Sequence, residues 1–175
     1  MVEITYQMVL STIQTIALVV GIVYYLTIMR NAQKTRELTL KSQENATETR
    51  QAQLFMQIYD KWSSTEYTEA WHLINNADFK TYEEMMEFYN KEEYRRAFGK
   101  IVGFYEGVGV LVKEGLVDIR LVALLMTGTT TIFWRKMEPF IPEIRKYGYP
   151  RAYIETEYLY DKLMKYIQEH PEIEV

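Results

Sequence analysis

From Ile4 through Met29 the chain carries no charged side chain. At about 1.5 Å of helical rise per residue, the Met8–Met29 run reaches roughly 33 Å, enough to cross a bilayer's hydrocarbon core. Gln7, Ser11, Gln14 and Thr15 recur there at helical spacing, and Leu18 and Gly21 continue the stripe. Polar and small residues aligned in this way predict a helix–helix association face in lipid, where an unsatisfied amide is costly. Headgroup depth is the competing account; it explains Gln7 easily and Gln14 poorly.

No glycine or proline occurs between Gly21 and Gly99, and no alternating β-branched pattern interrupts the chain. Both observations predict an all-α fold. After Arg30 the sequence stays polar for about two dozen residues. Leu38, Leu40, Ala46 and Ala52 are too sparse for a coiled-coil seam, so a solvated helical stalk is expected. Leu54, Phe55, Ile58, Tyr59 and Trp62 then share one helical face, where a helical bundle begins.

Within that bundle, hydroxyl or amide side chains followed three residues later by glutamate predict helix starts. Ser63 with Glu66 opens a helix carrying Tyr67, Ala70, Trp71 and Ile74 on its inner face. Thr81 with Glu84 opens another with Met85, Met86 and Tyr89. Asn90 with Glu93 opens the longest, which runs to a C′ glycine at Gly115. Asp118 is the expected cap of a short helix ending near Gly128. A further helix gathers Phe133, Met137, Phe140, Ile141 and Ile144, with a kink or restart at Pro139 and Pro142. Pro150 is expected in the first turn of a last helix, which buries Leu159, Leu163, Tyr166 and Ile167. Ile101–Val112 and Leu121–Trp134 are also apolar but too short to span a bilayer, and read as core helices.

Charge sets the orientation. Arg30, Lys34, Arg36 and Lys41 crowd one flank of the apolar run, whereas Met1–Gln7 holds no Lys or Arg and carries Glu3. The positive-inside bias places the N-terminus outside and the rest in the cytoplasm, with those four cations at anionic headgroups. Arg30–Lys34 is no cleavage signature, which favours an uncleaved anchor over a signal peptide. The net charge of −4, with no second basic cluster, argues against nucleic acid as a partner. The chain has 0 cysteines, which excludes disulfides, thiolate metal sites and cysteine nucleophiles.

Candidate chemistry is sparse. Gly99, Gly103 and Gly107 recur every fourth residue and predict a helix-packing groove for another backbone, either the stalk helix or a second subunit. Mid-helix glycines with no preceding strand do not make a phosphate loop. Glu106, inside an apolar run, needs a partner, and Arg135, Arg145 and Arg151 are the nearby candidates. Glu106, Trp134, Arg145 and Arg151 therefore form the expected polar cluster, structural in role. His72 and His170 are isolated, so no metal is expected. Glu83, Glu84 and Glu87, and likewise Glu155, Glu157 and Asp161, read as solvated acidic faces. Ser63 and Ser64 lack the context of a nucleophile. No catalytic residue and no cofactor is expected.

A resemblance rests on three segments. Gln53–Trp71 contains Gln-Leu-Phe-Met-Gln-Ile-Tyr-Asp-Lys-Trp and, at its end, Ala70-Trp71. Phe104-Tyr105-Glu106-Gly107-Val108-Gly109-Val110-Leu111-Val112 follows, with Gly115-Leu116-Val117-Asp118. Trp134, Glu138-Pro139, Arg145, Tyr149-Pro150-Arg151-Ala152 and Glu157-Tyr158-Leu159 close it. Together these resemble the small membrane-anchored helical proteins of domain-of-unknown-function family 4760. The resemblance implies a helical cytoplasmic domain behind a membrane helix and brings no assigned activity.

The expected organisation is a short outer N-terminus (1–7), a membrane helix (8–29), a stalk (30–53), a helical domain (54–170) and a tail (171–175). The expected function is a membrane-anchored interaction or scaffold protein rather than an enzyme. Its expected partners are the lipid bilayer and further copies of itself or a larger membrane-protein complex. A channel or membrane-perturbing, defence-type effector is the alternative, and an enzyme with a diffuse helical-bundle site the third.

Overall fold

The structure, a computed structural model, describes residues 6–173. The ends of the expected outer N-terminus (1–5) and of the tail (174–175) lie outside the described residues. The fold is all-α: α1 (Tyr6–Trp62), α2 (Thr65–Asn76), α3 (Tyr82–Tyr89), α4 (Glu92–Lys113), α5 (Ile119–Met137), α6 (Ile141–Tyr147) and α7 (Ile154–Glu169). Short 3₁₀ turns stand at Glu138–Phe140 and Pro171–Ile173. The chain divides into two units, Met1–Thr49 and Arg50–Val175.

In the first unit the described residues are one helix, and every side chain from Tyr6 to Thr49 is exposed. This is the one described helix long and apolar enough to cross a membrane, and none of its most apolar window is covered by the rest of the protein.

In the second unit α4 packs against α2, α3 and α7, and α5 packs against α2 and α7. Ile101, Tyr105, Val122, Met126, Met137, Leu159 and Leu163 are fully buried between them. The end of α1 contributes Ile58, with Leu54, Phe55 and Trp62 packed beside it. Ile101, Tyr105, Val108 and Val112 of α4 follow helical spacing, as do Val122, Met126, Phe133 and Met137 of α5, so each helix offers one apolar stripe to a common core.

Local chemistry explains most boundaries. Thr81 caps α3 by accepting from Glu84 N–H, and Asp118 caps α5 by accepting from Arg120 N–H. α4 ends in a Schellman turn: Leu116 N–H bonds to Leu111 O and Gly115 N–H to Val112 O, with Gly115 at φ 66°. α5 stops before Pro139, and α6 restarts with Pro142 in its first turn.

Four boundary expectations are corrected. The cap of α2 is Ser64, which accepts from Tyr67 N–H, and not Ser63. Asn90 does not cap α4. It is itself helical at the end of α3, donating to Met86 O, so the extended cap geometry falls to Lys91, which supplies no side-chain acceptor. α5 runs straight through Gly128, because burial of Met126, Thr130 and Phe133 on either side outweighs the roughly 1 kcal/mol that one glycine costs a helix. Pro150 lies in a turn, and α7 begins only at Ile154, after Tyr153 adopts the left-handed region at φ 62°. That conformation costs a non-glycine residue of order 1–3 kcal/mol. It is held by burial of the Tyr153 ring against Phe133, centroid to centroid 6.4 Å.

Candidate functional site

Of the four residues expected to form one polar cluster, Glu106, Trp134 and Arg145 are instead fastened separately to α7, and Arg151 is exposed. Glu106 Oε1 accepts from the Thr156 N–H (2.8 Å) and from the Thr156 hydroxyl (2.7 Å). Thr156 is the third residue of α7, so a carboxylate from α4 satisfies a helix-start donor that no local side chain serves, and its charge suits the positive end of the helix. The expected arginine partner of Glu106 is thereby corrected. Arg145 binds Glu157 Oε2 (2.6 Å) and donates from Nε to Ala152 O (3.0 Å). Arg135 and Arg151 are exposed. Trp134 is buried and stacked on Tyr160 at 5.6 Å.

Lys113 adds a fourth fastening, binding Glu155 at 2.9 Å. The first two turns of α7 are thus gripped from α4, α5 and α6. Glu106→Ala leaves the fully buried Thr156 N–H and hydroxyl unsatisfied and is expected to cost about 1–3 kcal/mol. Glu106→Gln keeps the acceptor and loses only the charge, with an expected cost below about 1 kcal/mol. Denaturant midpoints of the two variants check the order.

A matching device closes α2. Lys136 of α5 donates from Nζ to Asn75 O (2.8 Å) and to Ala77 O, a cation at the negative end of a helix. Burial holds its pKa below the ordinary lysine value, with Asp78 opposing. Deeper in, the hydroxyls of Tyr67 and Tyr105 meet at 2.8 Å. Burial pushes both phenols up, so the pair stays neutral.

Gly99, Gly103 and Gly107 do not receive a closely approaching backbone in this chain. A Cβ added at any of them meets nothing within 4 Å, although Leu54 and Ile58 of α1 face the same shallow groove. The expectation that the end of the stalk helix fills the groove is corrected. The packing glycine is Gly109, where an added Cβ would overlap the Glu155 carbonyl oxygen and lie 2.7 Å from its carbonyl carbon.

Two exposed faces remain. In α1 the Ser11 hydroxyl donates to Met8 O and the Thr15 hydroxyl to Ser11 O. Both are satisfied by their own helix, which leaves the amides of Gln7 and Gln14 as the stripe's strong polar groups. Arg30, Lys34, Arg36 and Lys41 follow the apolar run and are exposed, as is Gly21. In α5, Leu124 (57% exposed), Leu125 (39%), Gly128 and Ile132 (46%) form a single outward stripe. The sequence does not reveal this stripe, since Leu121–Trp134 carries no charge on any side to mark which side faces out.

These features define an all-α protein whose N-terminal helix is charge-free and exposed from Tyr6 to Met29, with a helical domain held together by cross-helix caps. The family model described as Domain of unknown function (DUF4760) matches residues 11–163, and the chain belongs to that family. Searches of the curated proteins and of the solved structures return no match.

Proposed function

We propose that this protein is a membrane-anchored interaction protein, a self-assembling scaffold or an accessory subunit of a membrane complex. The observation that carries the reading is the stretch of α1 from Tyr6 to Met29, whose apolar side chains are exposed and covered by no other described residue. Aliphatic surface on that scale is stable in lipid and unstable in water. Arg30, Lys34, Arg36 and Lys41 support an orientation with the N-terminus outside and residues 30–175 in the cytoplasm. The outward stripe of α5 supports an interaction role, because adjoining exposed leucine and isoleucine side chains mark contact surfaces. Self-bonded Ser11 and Thr15 hydroxyls favour helix association through Gln14 over a water-lined pore.

Alkaline carbonate washing of native membranes tests the anchor: the full chain is expected to stay in the membrane pellet, and release into the wash would overturn the reading. Native mass spectrometry of the detergent-extracted chain tests the assembly. Foreign subunits in fixed ratio identify an accessory component, multiples of the chain mass identify a scaffold, and a single chain contradicts both.

A further inference from the structure

Between α3, α4 and the turn leading into α7 lies a cavity of about 380 Å³ that is independent of the anchor and of the α5 stripe. This is within the size range of small-molecule sites, roughly 300–1,000 Å³. Met85 and Met86 of α3, Phe98 and Gly99 of α4, Met137 of α5 and the strained Tyr153 line it, and no Asp, Glu, Lys or Arg does. Tyr153 is 7% exposed and lines the cavity, and its hydroxyl is not among the fully enclosed polar atoms left unpaired, so it borders open space. A phenol hydroxyl at the edge of an apolar cavity is a donor available to whatever occupies it. The left-handed backbone at Tyr153 and the packing of its ring on Phe133 fix the residue at the cavity wall.

We infer that this cavity is a binding site for an uncharged, largely apolar small molecule carrying one hydrogen-bond acceptor, which the Tyr153 hydroxyl engages. The methionines supply an adaptable apolar wall. Burial pushes the Tyr153 phenol up, with Tyr89 and Glu106 adding to the effect, so it donates as a neutral group across the physiological range. An anionic ligand is disfavoured, since no cation lines the cavity and the Glu106 carboxylate acts on Tyr153. Tyr89 and Tyr149, both exposed, flank the open side and provide a way in.

Benzophenone fits this description, being uncharged, apolar and equipped with one carbonyl acceptor. On irradiation the excited ketone takes a hydrogen atom from a nearby C–H group, and the two radicals combine, adding the mass of the whole ketone. The full chain in lipid nanodiscs is irradiated with benzophenone, and its methionines are mapped by peptide mass spectrometry. Labelling of Met85, Met86 or Met137 is expected to exceed that of exposed Met56 by about tenfold, the ratio that 1.4 kcal/mol of binding preference produces. Val102 of α4 lines this cavity and is half-buried, so Val102→Phe adds a ring's volume to its wall. It is expected to reduce labelling to the level of Met56 while labelling of Met8 and Met29 is unchanged. Tyr153→Phe keeps the ring and is expected to lower the cavity labelling about fivefold, the loss of one hydrogen bond. Cavity labelling no greater than that of Met56, or undiminished by Val102→Phe, overturns the site; labelling undiminished by Tyr153→Phe overturns the acceptor.

Discussion

Gly109→Ala is expected to destabilise the helical domain by about 3 kcal/mol, the upper end of what overpacking costs. The new methyl would collide with the carbonyl group of Glu155, and backbone atoms cannot swing aside as a side chain can. α4 and α7 must then separate, which loosens the Lys113–Glu155 pair and the Glu106 cap on Thr156 together. Two residues away the sign reverses. Gly107→Ala meets open space and gains helix propensity, so a stabilisation of up to about 1 kcal/mol is expected, with the same outcome for Gly99 and Gly103. Urea midpoints of these single variants check the contrast. The triple alanine variant also tests the groove as a subunit contact: weaker association with higher fold stability would assign it to a second copy.

The other large effect is expected at the surface. Leu124→Glu with Leu125→Glu places two carboxylates on the outward stripe of α5, where both leucines are exposed. The unfolding midpoint is expected to move little, since surface substitutions usually stay within about 0.5 kcal/mol. Association is expected to fail, because a contact that buries these positions would now bury two unpaired charges. Native mass spectrometry of the extracted variant reads the result directly. A complex of unchanged mass would show that α5 faces solvent in the assembly and would shift attention to Gln14 in α1.

How much of this was legible depends on the range of the interaction involved. The all-α fold was readable, because a stretch from Gly21 to Gly99 without glycine or proline offers no break and no strand pattern. The caps at Thr81 and Asp118 and the C′ glycine at Gly115 were readable too, since donor and acceptor lie within a few residues of each other. Asn90 and Gly128 were misread for a common reason. Each carries a local stop or start signal that neighbouring helices overrule, the first by drawing Asn90 into α3 and the second by burying both flanks of Gly128. Pro150 was misread because the start of α7 is set by where the Tyr153 ring is buried, not by local propensity.

The candidate residues divide along the same line. That Glu106 needed a partner followed from a lone carboxylate in an apolar run, a conclusion of composition and solvation alone. That the partner is a backbone N–H and a threonine hydroxyl fifty positions on, and not an arginine, is decided by the crossing of α4 and α7. The same crossing makes Gly109, rather than the regular series Gly99, Gly103 and Gly107, the glycine that packing requires. By itself the sequence determined the helical class, the charge-free run with its basic flank, and the helix ends whose caps are local, because hydropathy and short-range hydrogen bonding act along the chain. Only the tertiary structure decided which face of α5 stays outside, which charges cap which helices, and where the methionine-lined cavity opens. Those depend on groups far apart in sequence being brought within a few ångströms, and no pattern along the chain encodes that distance.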